Sequence, residues 1–244
     1  DIHNFKYRIR YYYNEMVKDV NSIKHPVVRE CLKFYQNNKS LDIIHHGDLP
    51  ARTGLGSSSS FTVGLVHALS HLNIKKFSKR KIALDAIYIE QKILKEFVGS
   101  QDQVIAAYGG FNEIKFNKKN TFKVLPLEIS NNKINILNSW SQLVFTGILR
   151  PASKFAKRKI MNIKNNYNLD QMMELNKEAK KVIIECNDKD FIYEFGKLLN
   201  RQWELKKSFE KSTTNNLINL IYEKAILNGG IGGKILGAGG GGFF

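Results

Sequence analysis

The chain has 244 residues, 43% of them hydrophobic, enough to bury the core of one large domain or two ordinary ones and too many for an intrinsically disordered protein. It has neither the roughly 18–20 consecutive apolar residues of a membrane helix nor a signal segment at its start, which predicts a soluble, cytoplasmic protein without a membrane partner. The formal net charge of +16 is compatible with a nucleic-acid partner. However, the basic clusters at 75–81 and 154–159 are short, and neither is interleaved with the aromatic residues on which nucleic-acid bases stack. The charge therefore favours a solvated surface that attracts small anions.

The first part of the chain alternates helix and strand signals. Apolar residues at helical spacing after Pro26 predict a helix, and "SLDIIHHGDLP" predicts a short strand. Apolar residues then recur every three or four positions between 61 and 72, which predicts a helix from about Ser57 to His71. A second helix is predicted from about 79 to 97.

The second part of the chain turns first to strands and then to helices. The segments "TFKVLPLEI" and "SQLVFTGIL" predict strands, and the polar "SNNKINILNS" between them is a candidate domain boundary. Residues from about 152 to 226 are predicted to be mostly helical. The chain closes with a glycine-rich segment, and a strand is predicted to begin at Phe243.

The stretch "PARTGLGSSSS" carries the clearest chemical signal in the sequence. Gly54 and Gly56 let the backbone approach a ligand closely, and the helix predicted after them offers free N–H groups and a dipole that attract phosphate. Serine hydroxyls add donors for phosphate oxygens or a ligand for Mg²⁺. An ordinary serine N-cap after a tight turn is the alternative, but it explains only one serine and one glycine.

Three other kinds of site are excluded by residue spacing. Cys31 and Cys186 lie far apart without a partnering pattern, so they predict buried free thiols and no disulfide or thiolate metal site. A Walker A loop needs Ser or Thr after its lysine, whereas "GGIGGKI" has Ile235 there. The dinucleotide-binding fingerprint needs a glycine where Ser59 stands.

Two segments together resemble the GHMP kinases, the superfamily of galactokinase, homoserine kinase, mevalonate kinase and phosphomevalonate kinase. "PARTGLGSSSS" is similar to the phosphate-binding motif of that family and "KILGAGGGGFF" to its C-terminal motif, in the right order and at the right distance. The resemblance implies a two-domain α+β architecture, with a ribosomal protein S5 domain 2-like ATP-binding domain, here incomplete, at 1–130 and a ferredoxin-like domain at 131–244. It also implies ATP and Mg²⁺ as cofactors.

The resemblance further implies roles for individual residues. Asp102, in an Asp-Gln pair found in the sugar kinases of the family, is the predicted catalytic base or the group that orients the acceptor hydroxyl, with a loop cap as the alternative. Ser58 and Glu90 match the metal-binding serine and glutamate, and an exposed surface carboxylate is the alternative for Glu90. Gln103 and Arg150 are candidate substrate contacts, Arg150 because arginine suits phosphate recognition.

Two larger groups complete the predicted site. The residues predicted to bind the ATP phosphates are Thr53, Gly54, Leu55, Gly56, Ser57, Ser58, Ser59 and Ser60. The residues predicted to support that loop from the glycine-rich end are Gly237, Ala238, Gly239 and Gly240.

Two segments of the chain predict which molecule accepts the phosphate, because they resemble particular members of the family. "VGSQDQVIAAYGGFN" and "GGKILGAGGGGFF" resemble sugar 1-kinases that act on D-glycero-D-manno-heptose 7-phosphate, relatives of fucokinases. ATP-dependent phosphorylation of a sugar's anomeric hydroxyl is implied, with another sugar 1-kinase, or a non-catalytic ATP- or nucleic-acid-binding module, as alternatives. The first motif of the family has no match here, so we expect a chain truncated at its N-terminus that lacks part of the sugar pocket and is inactive alone.

Overall fold

The computed structural model describes residues 4–49, 53–72, 77–117, 121–149, 167–209 and 211–244. These residues form helices together with small, largely antiparallel sheets, which confirms the predicted α+β class. They divide into two units, one of Asp1–Ala51 with Gly56–Gly109 and one of Arg52–Leu55 with Gly110–Phe244. Across the described residues, no helix combines the length and the apolar character that crossing a membrane requires.

The first unit contains a three-stranded sheet. Strand β1 (Tyr7–Arg10) lies between β2 (Asn14–Val17), which runs antiparallel to it, and β3 (Leu41–Ile44), which runs parallel to it. Tyr7 and Ile9 are the buried residues of β1, because alternate side chains of a strand point to the same face. The strand predicted from "SLDIIHHGDLP" is confirmed as β3.

The first unit also contains the helices α1 (Pro26–Phe34), α2 (Ser57–Leu72), α3 (Lys79–Tyr88) and α4 (Gln101–Tyr108). Helix α1 begins as predicted, because Pro26 occupies the first turn and the His25 side chain accepts a hydrogen bond from the Val28 N–H. The buried faces of α1, α2 and α3 pack with β1 in one hydrophobic core. Cys31 lies in this core as a free thiol, and burial raises its pKa to about 12.

The helix predicted over 79–97 ends earlier in the structure. Helix α3 stops at Tyr88, and the chain continues as a π-helical turn over Ile89–Ile93, in which the Leu94 N–H donates to the Ile89 carbonyl (2.8 Å). Lys95 then adopts a left-handed φ of 55° beyond that turn. This change of winding matters for the site, because the π-helical turn carries Glu90.

The second unit begins with the antiparallel pair β4 (Asn112–Phe116) and β5 (Phe122–Pro126). Its helices are α5 (Asn131–Trp140), α6 (Tyr167–Glu185), α7 (Asp188–Phe209) and α8 (Asn216–Leu227). Strand β5 confirms the strand predicted at "TFKVLPLEI", and helices α6 to α8 confirm the predicted helical region from residue 167 onward. The part of that prediction at 152–166 lies outside the described residues. Cys186 follows α6 as a half-buried free thiol.

The polar stretch "SNNKINILNS", the candidate domain boundary, forms most of helix α5, which the sequence did not predict. The Ser130 side chain caps the helix by accepting from the Lys133 N–H (3.2 Å), and the Lys133 ammonium, itself buried, donates to the Ile183 carbonyl (2.8 Å). Leu137 packs in a small cluster with Ile183 and Phe191. One narrow packed face is enough to fix such a helix, although most of its residues are polar.

The strands predicted at "SQLVFTGIL" and at Phe243 reduce to one isolated bridge between Phe145 and Phe243. Beside it, the Val144 N–H donates to the Phe244 carbonyl (2.9 Å) and the Phe244 N–H to the Val144 carbonyl (2.8 Å). These bonds attach the glycine-rich end to the segment before residue 150. The domain boundary between 130 and 131 stays a prediction.

Candidate functional site

Residues 53–60, here called the glycine-serine loop, lead into helix α2. Gly54 and Gly56 have φ values of 82° and 72°, a left-handed conformation that residues with side chains rarely adopt. The chain is helical from Ser57, and the Ser60 N–H donates to the Gly56 carbonyl (2.9 Å). The helix start predicted at Ser57 is therefore confirmed, and the N–H groups of its first residues lack helical partners.

The four serines of the loop lie in different environments. Ser59 is buried, with 4% of its surface exposed, whereas Ser58 and Ser60 are exposed and Ser57 is half-buried. The Ser59 hydroxyl donates to Oε2 of Glu90 (2.9 Å). The structure thus brings Ser59 to Glu90, and the binding of one Mg²⁺ ion by Ser58 and Glu90 stays a prediction.

Glu90 is fully buried, which excludes the exposed surface carboxylate considered from the sequence. Its Oε2 accepts from the Ser59 hydroxyl and from the Gln103 amide, while its Oε1 is buried without a hydrogen-bond partner among the described residues. None of the ion pairs of the described chain involves Glu90. A carboxylate that has no cation beside it and one unpaired oxygen is costly to bury, so Oε1 of Glu90 is free to accept a hydrogen bond or bind a cation.

A contact with substrate would require Gln103 to face solvent, and it does not. It is fully buried, and its Nε2 donates to Glu90. The structure thus gives Gln103 an internal hydrogen bond, and its contact with substrate stays a prediction. Asp102, its neighbour on α4, points about 100° away from it and is exposed.

Asp102 lies in the first turn of α4 and not in a loop, with Ser100 at the N-cap position. Its carboxyl packs against Gly56, because a Cβ added to Gly56 would lie 3.2 Å from the Asp102 carboxyl carbon. The side chain reaches the surface, but the protein around the carboxyl removes enough water to raise its pKa. The described residues donate no hydrogen bond to this carboxyl, so it is available to a ligand.

The glycine-rich end and the start of the glycine-serine loop meet within the second unit. A Cβ on Gly237 would lie 2.8 Å from the Gly54 Cα, and Gly237 itself has a φ of 60°. The Phe243 N–H donates to the Thr53 carbonyl (3.3 Å), and Thr53 is fully buried. Gly240 donates to the Thr213 carbonyl (2.6 Å). The backbone contact predicted for Gly237 is present, because only glycine permits such an approach.

Lys206 of α7 is a buried residue of this region that the sequence did not single out. Its ammonium donates to the carbonyls of Ile235 (2.6 Å) and Gly237 (2.7 Å), and only 7% of the residue is exposed. It ties the glycine-rich end to α7. No local pattern marks this residue, since Lys206 stands among several lysines of an amphipathic helix.

Some predicted residues lie outside the described part of the chain. Arg150 is one of them, so its contact with substrate stays a prediction. The basic cluster at 154–159 and residues 75–76 of the other cluster also lie outside it. Within the described part of that other cluster, the exposed Lys81 pairs with the buried Asp85 (2.5 Å) one turn further along the same helix.

Comparison with known proteins places the chain among kinases of small molecules. The family described as "GHMP kinases N terminal domain" matches residues 21–110. The D-glycero-alpha-D-manno-heptose 7-phosphate kinase of Campylobacter jejuni is 31% identical over 234 residues, which are 95% of this chain and 64% of that protein. The bifunctional fucokinase/GDP-fucose pyrophosphorylase of Arabidopsis thaliana is 26% identical and matches over 86% of this chain and 20% of its own length.

A solved structure supports the same fold. The crystal structure of a D-glycero-D-manno-heptose 1-phosphate kinase from Bacteroides thetaiotaomicron superposes with a TM-score of 0.70 at 24% identity. The match covers 97% of this chain and 70% of that one. The chain thus has the fold of that kinase, while it spans less than two thirds of the two curated relatives above.

Proposed function

We propose that this chain, as a member of the GHMP kinase family of phosphotransferases, carries the ATP-binding and catalytic residues of a sugar kinase. The proposed reaction of the whole protein is ATP-dependent phosphorylation of an anomeric hydroxyl. The proposed acceptor is D-glycero-α-D-manno-heptose 7-phosphate, which would give the 1,7-bisphosphate. The identity with the heptose 7-phosphate kinase of Campylobacter jejuni supports this choice of acceptor.

The observation that carries the proposal is the contact between Asp102 and Gly56. It sets a carboxyl that receives no hydrogen bond from the described residues beside the glycine at the start of α2, where a phosphate is expected. A carboxylate there can accept the proton of an incoming hydroxyl, or orient it, as the γ-phosphoryl group is transferred. Phosphoryl transfer depends mainly on positioning and charge stabilisation, which this arrangement can supply.

The phosphates of ATP are proposed to bind to the glycine-serine loop. The left-handed Gly54 and Gly56 remove side chains from the path of a ligand, and the free N–H groups of the first turn of α2 favour an anion. Leu55 and the exposed hydroxyls of Ser58 and Ser60 belong to the same surface segment. Gly237, Ala238, Gly239 and Gly240 are proposed to hold this loop in shape.

The residues present fit a Mg²⁺ ion. Glu90 has a buried carboxylate oxygen without a partner among the described residues, and the serines of α2 add hydroxyl oxygens, the hard donors that Mg²⁺ prefers. We propose Glu90 and Ser58 as its protein ligands, with ATP oxygens and water completing the set. When bound, the ion would neutralise negative charge on the phosphates.

The finer architecture is also proposed from the family. The expected arrangement is a ribosomal protein S5 domain 2-like domain over 1–130 and a ferredoxin-like domain over 131–244, in a cytoplasmic enzyme. A fucokinase is the second candidate function, and the similarity to the bifunctional fucokinase of Arabidopsis thaliana supports it.

The test is an acceptor screen with the full-length protein that contains this chain. Heptose 7-phosphate, fucose and galactose are each incubated with ATP and Mg²⁺, and the position of the new phosphate is read by ³¹P NMR. We expect transfer to the anomeric oxygen of heptose 7-phosphate, and a fall in turnover of about 10²–10⁴-fold in Asp102→Ala. Turnover of Asp102→Ala within a few-fold of wild type would remove Asp102 from the mechanism, and preferred phosphorylation of fucose would select the second candidate.

A further inference from the structure

We propose that Ser59 and Gln103 are positioning residues that hold Glu90 by one carboxylate oxygen and so leave its other oxygen for the metal ion of the kinase. The proposal rests on the proposed function, since it takes Glu90 as a metal ligand. It assigns to Ser59 an internal task in place of a contact with phosphate, and to Gln103 an internal task in place of a contact with substrate.

The hydrogen bonds of the Glu90 carboxylate are distributed unequally. Both donors, the Ser59 hydroxyl and the Gln103 amide, bind Oε2, and Oε1 has no partner among the described residues. Two donors on one oxygen fix the rotation of the carboxylate about its last bond. Partners of this kind orient a metal-binding carboxylate and raise its affinity for the ion.

The charge around Glu90 favours a cation as the absent partner of Oε1. The described chain gives Glu90 no ion pair, and both of its hydrogen-bond donors are neutral. Glu90 has no exposed surface, and an unpaired carboxylate is costly in such a poorly solvated environment.

The three residues come from three different segments of the first unit. Ser59 lies on α2, Glu90 on the π-helical turn and Gln103 on α4, next to Asp102. A π-helical turn shifts the residues after it relative to a regular helix, and such turns recur at functional sites. The Gln103 amide therefore ties the turn of α4 that carries Asp102 to the carboxylate proposed to bind the metal.

The experiment measures metal binding without turnover. Mn²⁺, used in place of Mg²⁺, is titrated into the full-length protein in the presence of a saturating non-hydrolysable ATP analogue, and free Mn²⁺ is read by electron paramagnetic resonance. We expect Ser59→Ala and Gln103→Leu to weaken Mn²⁺ binding by about 10–100-fold, the range typical of outer partners of a metal ligand. The affinity for the analogue itself is measured in the same variants, so that a loss of nucleotide is not mistaken for a loss of metal.

Two further variants separate positioning from a general loss of structure. Ser59→Thr keeps the hydroxyl and is expected to bind Mn²⁺ within about twofold of wild type. Ser70→Ala is the matched control, because Ser70 is also a buried serine of α2 but its hydroxyl donates to the His67 carbonyl of its own helix. It is expected to leave Mn²⁺ binding unchanged.

The Glu90→Gln variant distinguishes the proposal from the proposed function. In its background Gln103→Leu should cause no further loss of Mn²⁺ affinity, because the carboxylate to be positioned is gone. One outcome would overturn the positioning roles of Ser59 and Gln103 but keep Glu90 as a metal ligand. It is wild-type Mn²⁺ affinity in both Ser59→Ala and Gln103→Leu, together with weakened Mn²⁺ binding in Glu90→Gln. Wild-type affinity in Glu90→Gln would instead remove Glu90 as a metal ligand, and with it this part of the proposed function. If Gln103→Leu does not fold, the comparison of Ser59→Ala with Ser59→Thr decides.

Discussion

Glu90 in the first unit and Lys206 in the second are both buried charges, and their surroundings differ in one respect. The Lys206 ammonium donates to two backbone carbonyls at 2.6 and 2.7 Å. The Glu90 carboxylate has both of its donors on one oxygen, while the other oxygen has no partner among the described residues. A buried charge whose hydrogen bonds the protein supplies has its partners within the fold, whereas a buried carboxylate oxygen without a hydrogen-bond donor indicates an absent ligand.

The largest expected effect comes from removing the charge of Glu90. Glu90→Gln keeps the shape of the side chain and removes its charge. We expect turnover of the full-length protein to fall by about 100-fold or more, since even outer partners of a metal ligand cost 10–100-fold. The free energy of unfolding without metal should stay the same or rise, because an uncompensated buried charge is removed. Unchanged turnover with clearly lower stability would make Glu90 a structural residue.

Lys206→Met should show the opposite pattern. Methionine fills a similar volume but leaves the Ile235 and Gly237 carbonyls without this donor, so we expect the free energy of unfolding to fall by about 2–3 kcal/mol in urea titrations. Lys177→Met is the control, because Lys177 on α6 is exposed and pairs with Glu174 (3.0 Å) at the surface, and we expect a loss of less than about 1 kcal/mol there. Equal losses in the two variants would contradict a special role for Lys206.

A smaller effect tests the contact of the glycine-rich end with Gly54. Gly237→Ala and Gly229→Ala both place a side chain at a left-handed φ, of 60° and 93°, which costs about 1–2 kcal/mol. A Cβ on Gly229 meets nothing within 4 Å, whereas one on Gly237 would lie 2.8 Å from the Gly54 Cα. We expect the larger loss of stability, and a raised KM for ATP, only in Gly237→Ala. Identical unfolding curves and KM values would show that the close approach has no consequence.

The smallest expected effect is a dependence on pH. Burial raises the pKa of Asp102, so the Asp102 carboxylate binds a proton more tightly in the folded protein than in the unfolded chain. The stability of wild type relative to Asp102→Asn should therefore increase as the pH falls from 7 through the raised pKa toward about 4, the ordinary value of aspartate. Urea midpoints of the two proteins at pH 7 and pH 5 measure this difference. A constant difference between the two proteins would contradict the raised pKa.

Much of the fold around the site was predictable from the sequence. The spacing of apolar residues between 61 and 72 and the glycines before Ser57 fix helix α2 and its start within one residue. These signals are local, and local signals survive in a single sequence. Helix α5 was not predicted for a physical reason, since a helix packed through Leu137 and a buried Lys133 needs few apolar residues.

The partners within the site were less predictable. A run of four serines does not tell which hydroxyl faces Glu90, because that depends on the rotation of α2 against the π-helical turn. The turn itself leaves no clear pattern, so the sequence suggests one continuous helix over 79–97. Gln103 and Lys206 became recognisable only through contacts with residues distant in sequence.

The most direct test of the central claim is the thermal unfolding of the full-length protein with a non-hydrolysable ATP analogue, measured with and without Mg²⁺. A ligand that binds only the folded state stabilises it, by about 2.7 kcal/mol at 100 times its Kd. We expect Mg²⁺ to add an increment to the Tm of the wild-type complex and of Lys206→Met, and none to Glu90→Gln. A full Mg²⁺ increment in Glu90→Gln would contradict the claim that the free oxygen of Glu90 is there for the metal.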